Sequence, residues 1–157
     1  MNAKIDTDHA NSEYYGGDAD RAIGLQLPPC AEIFSQFDPE HLASRLPRVS
    51  DPDLWSARDA DQFVGFKLGY RRGAHSFHSW LGGVHPSARR RGTAAELTHR
   101  QHARAVGTGY RLVETRTRAV KNGMRILNLR HGFRITAFEV DSGGCPVATQ
   151  RKDRSET

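Results

Sequence analysis

Val84-His-Pro-Ser-Ala-Arg-Arg-Arg-Gly-Thr-Ala94 follows an apolar run and leads into a stretch of helix formers. Three consecutive arginines, then Gly92 and two small residues, put positive charge and uncovered backbone N–H groups at a predicted helix N-terminus. Orphan N–H groups and the helix dipole favour anions there, so the stretch reads as a cradle for a pyrophosphate. Standing alone, the same residues would better suit a basic solvated loop.

The surroundings of the stretch argue for the cradle. Phe77-His-Ser-Trp-Leu-Gly-Gly-Val84 is apolar enough for a strand, as are Phe63-Val-Gly-Phe-Lys-Leu-Gly-Tyr70 and Leu54-Trp-Ser-Ala-Arg58 before it. Their hairpin spacing predicts an antiparallel meander. Residues 92–107 are rich in Ala, Leu, Glu, Gln and Arg, and end at Gly107, which predicts a helix with a thin apolar stripe. A strand over 110–117, a helix over 120–131 stopped by Gly132, and a strand over 133–140 follow. Upstream, a short strand is expected over 22–27 and two short helices over 29–46, the second started by Asp38 and Pro39. The order β-α-α-β-β-β-α-β-α-β makes the chain α/β, with a mixed, mostly antiparallel central sheet flanked by helices.

At 157 residues the chain accommodates one domain with a real core. That domain is expected over 21–150, between a mobile tail at 1–20, which has few aliphatic residues, and a frayed tail at 151–157. No apolar run approaches the ~20 residues of a membrane span, and the N-terminus lacks a signal-peptide core, so a cytoplasmic location is expected. Cys30 and Cys145 stand far apart without metal-ligand spacing and read as free thiols. His99 and His102 are three apart, not the i, i+4 pair of a zinc helix, and no metal is expected. Net charge is +5, but residues 1–62 hold 5 Lys and Arg against 12 Asp and Glu, whereas residues 79–134 hold 12 against 2.

The strand ending Gly83-Val84-His85-Pro86, the string Arg89-x-x-Gly92-x-Ala94, and Asn128 through Gly132-Phe133 closing the next helix together resemble the GNAT (Gcn5-related) N-acyltransferases over roughly residues 54–140. The string matches that family's Q/R-x-x-G-x-G/A signature. The resemblance implies acetyl-CoA or a related thioester as co-substrate, held by Gly83, Val84, Arg89, Arg90, Arg91, Gly92, Thr93, Ala94 and Asn128. It also implies that the strand over 77–84 splays from its neighbour to pair with the pantetheine arm, that Gly82-Gly83 forms a bulge, and that the Val84 N–H polarises the thioester carbonyl.

By the same resemblance, His78 falls where the histone-acetyltransferase branch keeps its glutamate base, and Glu114 is the reserve. A strand histidine with only a packing role is the other reading of His78. The family's usual tyrosine, which protonates the departing thiolate, is replaced here by Asn128. An amide cannot act as that acid, which leaves water or the hydroxyl of Tyr70 or Tyr110. His85 occupies a variable position of the turn, and Trp80 reads as core or pocket wall.

The implied activity is direct acetyl transfer in a ternary complex to a primary amine of a small molecule or a lysine-like side chain. Glu32, Asp38, Glu40, Asp51 and Asp53 lie in the region that walls the family's acceptor site, so a cationic acceptor is expected. Two other readings stand beside it: a protein that binds acyl-CoA without transferring the acyl group, and a basic nucleic-acid-binding module. The second lacks any aromatic-rich RNA-binding string or helix-turn-helix spacing. Similar proteins often form a homodimer through their C-terminal strands.

Overall fold

The computed structural model describes residues 12–17, 44–60, 62–118 and 121–153. They form a seven-stranded sheet in the order β1-β2-β3-β4-β5-β7-β6. The strands are β1 (Ser12–Gly17), β2 (Ser50–Asp59), β3 (Gln62–Gly73), β4 (Ser76–Val84), β5 (Leu112–Arg118), β6 (Arg134–Val140) and β7 (Pro146–Asp153), with helices α1 (Thr93–Gly107) and α2 (Asn122–Arg130). Among the described residues, no helix is long and apolar enough to cross a membrane.

The expected meander is β2-β3-β4, paired antiparallel throughout. β4 and β5 pair in parallel, and a parallel pair needs a crossover, which α1 supplies. The helix packs on the sheet through Leu97 and Ala105, but its thin stripe also buries Thr98, Gln101 and His102. Gln101 is held because Ser79 Oγ donates to its Oε1 at 3.0 Å. One apolar cluster joins Leu97 to Ala57, Val64 and Ala88, and a second joins Ala105 to Phe77, Tyr110, Val113 and Phe133.

Two elements differ from the sequence reading. Ser12–Gly17, within the expected tail, is a strand paired with β2. Gly16 lies flat against the Trp55 ring, where an added Cβ would come within 2.8 Å, and Tyr14 packs under the Arg100 guanidinium on the first apolar cluster. β7 was missing from the reading, which had the chain fray after Gln150, yet the strand runs to Asp153 and sits between β5 and β6. Its charged end is stabilised across the sheet by Arg134 to Asp153 at 3.0 Å and by Glu114 near Arg151. The expected strand at 22–27 and most of the helical stretch at 29–46 lie outside the described residues, as does Cys30. Of that stretch, a 3-10 turn at Leu46–Arg48 is described, with Leu46 buried.

Candidate functional site

The site forms where β4 loses a neighbour. β4 pairs with β5 only over Ser76–Ser79, ending at Ser79 opposite Thr115. Beyond that point β4 stays on β3 as far as Val84, while β5 continues against β7 to Arg118. The two strands therefore part into a gap. The β3 register shifts between Leu68, opposite Leu81, and Gly69, opposite Ser79, which leaves Trp80 as an extra residue on β4. The bulge thus lies at Trp80, two residues before the Gly82-Gly83 position expected, and increases the local twist where the strands separate.

The His85 N–H donates to the Val64 carbonyl at 2.7 Å, towards β3. Strand backbone groups alternate in direction, so the N–H groups of Val84 and Gly82 point the other way, onto the vacated edge. An extended polar ligand laid along this edge would complete the pairing that β5 abandons.

The turn after β4 is built by local chemistry. His85 Nδ1 accepts from the Ser87 N–H at 3.2 Å, capping a 3-10 turn over Pro86–Ala88. Arg90 and Gly92 both take left-handed backbone, with φ of 65° and 76°, and Gly92 is the N-cap residue of α1. This conformation favours glycine and gathers successive N–H groups into an anion-binding concavity ahead of the helix N-terminus.

A cavity of about 790 Å³ opens there, lined by Gly82, Gly83, Val84, Arg89, Arg90, Gly92, Thr93 and Ala94 on one side and by Lys121, Gly123, Met124, Leu127 and Arg130 on the other. Seven of the nine residues read as cofactor contacts therefore share one wall. Arg91 does not: its guanidinium is tied to Asp59 at 3.2 Å. Nor does Asn128, which is 2% exposed and donates to Gln150 Oε1 at 2.9 Å, a buried structural pair that turns the amide away from the cavity. The α2 wall, missed in the sequence, shows there only as Met124 and Leu127 on a helical face.

Lys67 was also missed, although a lone cation in the apolar run of β3 is a visible signal. It pairs across the sheet with Gly82, where an added Cβ would lie 3.5 Å from Lys67 Cγ, and it lines the inner end of the cavity with Thr98. At 6% exposure, burial pulls its ammonium pKa down to about 8. Beside it, burial and the Lys67 charge hold His102 neutral, well below the usual histidine range.

His78 lies on the opposite face of the sheet, at the end of the β4–β5 pairing. Its ring is 5.3 Å from that of Tyr70, which in turn meets Trp80 edge-on at 5.6 Å. Its Nδ1 is buried without a hydrogen-bond partner among the described residues. Burial, then Arg72, Arg116 and Arg45, lower its pKa to about 4, so the ring is neutral at pH 7. Glu114 stands opposite His78 on β5 but is engaged by Arg72 at 3.1 Å and Arg151 at 3.9 Å. Of the alternative hydroxyls, Tyr70 belongs to this cluster, whereas Tyr110 is buried against Phe77 beneath Arg71.

Of the expected acidic wall, Asp51 and Asp53 are described, and both are paired. Asp51 is bound by Arg71 at 2.6 Å, and Asp53 by Arg104 at 3.3 Å and the Trp55 indole at 3.2 Å. Glu32, Asp38 and Glu40 lie outside the described residues. Much of the basic surplus is likewise paired, with Arg100 on Glu96, Arg116 on Glu139 and Arg134 on Asp153.

The family model for an acetyltransferase (GNAT) domain matches residues 34–119, more than half of the chain. No curated protein matches the sequence. Among solved structures, the ribosomal-protein-S18-alanine N-acetyltransferase of Escherichia coli is similar with a TM-score of 0.75 at 12% identity, over 90% of this chain and 93% of that one. A GNAT family acetyltransferase from Elizabethkingia anophelis with acetyl-CoA bound is similar with a TM-score of 0.70 at 16% identity, over 91% and 98%. The IAA acetyltransferase of Bacillus cereus gives 0.73 at 13% identity, over 90% and 99%.

Proposed function

The chain belongs to the GNAT N-acetyltransferase family, and on that premise we propose that it transfers an acetyl group from acetyl-CoA directly to a primary amine, with no covalent enzyme intermediate. The observation that carries this reading is the parting of β4 from β5 at Ser79 beside a cavity closed by the left-handed turn at Arg90 and Gly92. Acetyl-CoA supplies the activated acyl group. The N–H groups around Gly92, Thr93 and Ala94 hold its pyrophosphate, helped by Arg89 and Arg90. The Gly82 and Val84 N–H groups orient the pantetheine arm, with Val84 towards the thioester carbonyl.

His78 takes the proton that the amine must lose. Its low pKa makes it a weak base, but the arginines that lower it also favour the neutral form of a nearby amine, so the nucleophile arrives already partly deprotonated. Lys67, at the inner end of the cavity, gives a proton to the departing thiolate. A pKa of about 8 matches a thiol near ~8.5 and fills the role left open where Asn128 stands in place of the family's tyrosine. Neither residue forms a bond to the acyl group.

Incubation with acetyl-CoA and a panel of primary amines, reading amine-dependent release of free thiol, tests the reading; release with no amine in the panel above that of buffer would refute it. The alternative of acyl-CoA binding without transfer draws support from the buried Asn128–Gln150 pair, and saturable binding without turnover would favour it. Of the acidic residues expected to favour a cationic acceptor, Asp51 and Asp53 are already paired with Arg71 and Arg104. The expected dimer has support in edge strand β6, whose Phe138 and Val140 are 64% and 67% exposed. An unpaired edge is self-complementary about a two-fold axis, so a second copy is its natural occupant.

A further inference from the structure

We propose that the acceptor amine carries an oxyanion, a carboxylate or a phosphate, which docks in an arginine-lined pocket beside Tyr70 while its amine reaches His78. The inference rests on the transferase reading above and names the class of its second substrate.

A second cavity, of about 590 Å³, lies on the His78 face of the sheet. Arg45, Arg48, Arg71, Arg72 and Tyr70 line it, and among the described residues no acidic side chain does. Arg71 and Arg72 lean on Asp51 and Glu114 from the side. Arg45 and Arg48 have no carboxylate partner among the described residues; Arg45 lies with its guanidinium over the Trp80 ring at 5.4 Å. A guanidinium stacked on an aromatic face keeps its N–H edge free, and that fork matches the paired oxygens of a carboxylate or phosphate. Four arginines around one cavity also repel a cation.

The pocket is connected to the reaction centre by Tyr70. That residue lines the cavity, touches the His78 ring at 5.3 Å and the Trp80 ring at 5.6 Å. The same arginines act on His78: Arg72 and Arg45 are among the charges that lower its pKa. An acceptor whose anion is held by the arginines would extend its amine past the Tyr70 ring to the His78 imidazole. A linker of a few bonds spans that width.

The test uses matched amines that differ at the far end: butylamine (uncharged), putrescine (cationic), γ-aminobutyrate (carboxylate) and 3-aminopropylphosphonate (phosphonate). The expected result is a kcat/KM about tenfold or more higher for an anionic member than for butylamine, with putrescine lowest. Preference between carboxylate and phosphonate identifies the oxyanion, and either one supports the proposal. In R45Q/R48Q protein the ratio of anionic to neutral kcat/KM should collapse to within about twofold. Occupancy is read independently of turnover from Trp80 fluorescence in a W55F background.

Anionic amines that bind there while no member of the panel is acetylated would uphold the pocket and refute the transferase reading. Efficient acetylation of putrescine or butylamine, equal to or above that of both anionic members, would overturn the proposal and leave the transferase reading standing. Absence of Trp80 quenching by every anionic member would also overturn it.

Discussion

Replacing Lys67 by Met should make the protein more stable and less active. Lys67 is 6% exposed, and burial is the cause that moves its pKa from 10.5 to about 8. Because the folded-state value lies below the unfolded one, the folded chain binds this proton more weakly. The penalty is therefore fully present below pH 8 and is relieved as pH rises from about 8 to 10.5. At pH 7 it amounts to about 3 kcal/mol. Methionine fills similar volume without a charge, so K67M should gain about that much, a rise in Tm of roughly 6–12 °C for a chain of this size. Denaturant unfolding at pH 7 and pH 10 checks the sign: the wild type should be more stable at pH 10 than at pH 7, and that difference should vanish in K67M. With no acid for the departing thiolate, kcat should fall about 100-fold or more while acetyl-CoA still binds. A less stable K67M with the wild-type pH dependence would refute the buried-cation account, and unchanged kcat would remove Lys67 from the chemistry.

Other perturbations separate the parts of the site. Valine at Gly92 must adopt φ near 76°, which a β-branched residue resists; acetyl-CoA affinity by calorimetry should fall at least tenfold with the circular dichroism spectrum retained. H78Q should lower kcat about 100-fold, and the acid limb of the wild-type kcat/KM profile, set by a His78 pKa of about 4, should disappear. As the folded-state value is below 6.5, the stability that neutral His78 contributes is full above pH 6.5 and lost as pH falls through 4, so acid unfolding of H78Q should begin at lower pH. F138D, on the exposed edge strand, should shift a dimer to monomer by light scattering without loss of fold; an unchanged mass would remove β6 from the interface.

The legible part of this molecule is local. The turn at 84–94 could be read because glycine at 92 and a helix start directly after it fix the backbone within a few residues, and seven of the expected contacts lie on the cavity wall. Arg91 escaped because its direction is set by Asp59, 32 positions away. Asn128 escaped because its partner Gln150 lies on β7, a strand whose Pro-Val-Ala-Thr-Gln-Arg-Lys-Asp sequence shows no alternation; it is a strand because β5 and β6 flank it. The bulge at Trp80 is a mismatch between two strand lengths and cannot be seen in either alone.

The acceptor face shows the same division more sharply. Composition placed acidic residues there, but pairing neutralises Asp51 and Asp53, and the register of β2 and β3 brings Arg71 and Arg72 beside Arg45 and Arg48. Charge counted along a chain says little about the potential of a pocket once long-range pairing is made.

The central claim is that acetyl-CoA lies along the edge β4 exposes, with its pyrophosphate on the turn before α1. Amide resonances followed during titration with acetyl-CoA test it most directly. The account predicts saturable shifts at Gly82, Val84, Gly92 and Ala94, whose N–H groups face the ligand, and smaller ones at His85, whose N–H is held by Val64. Saturable binding that leaves Gly82, Val84 and Gly92 unmoved would contradict it.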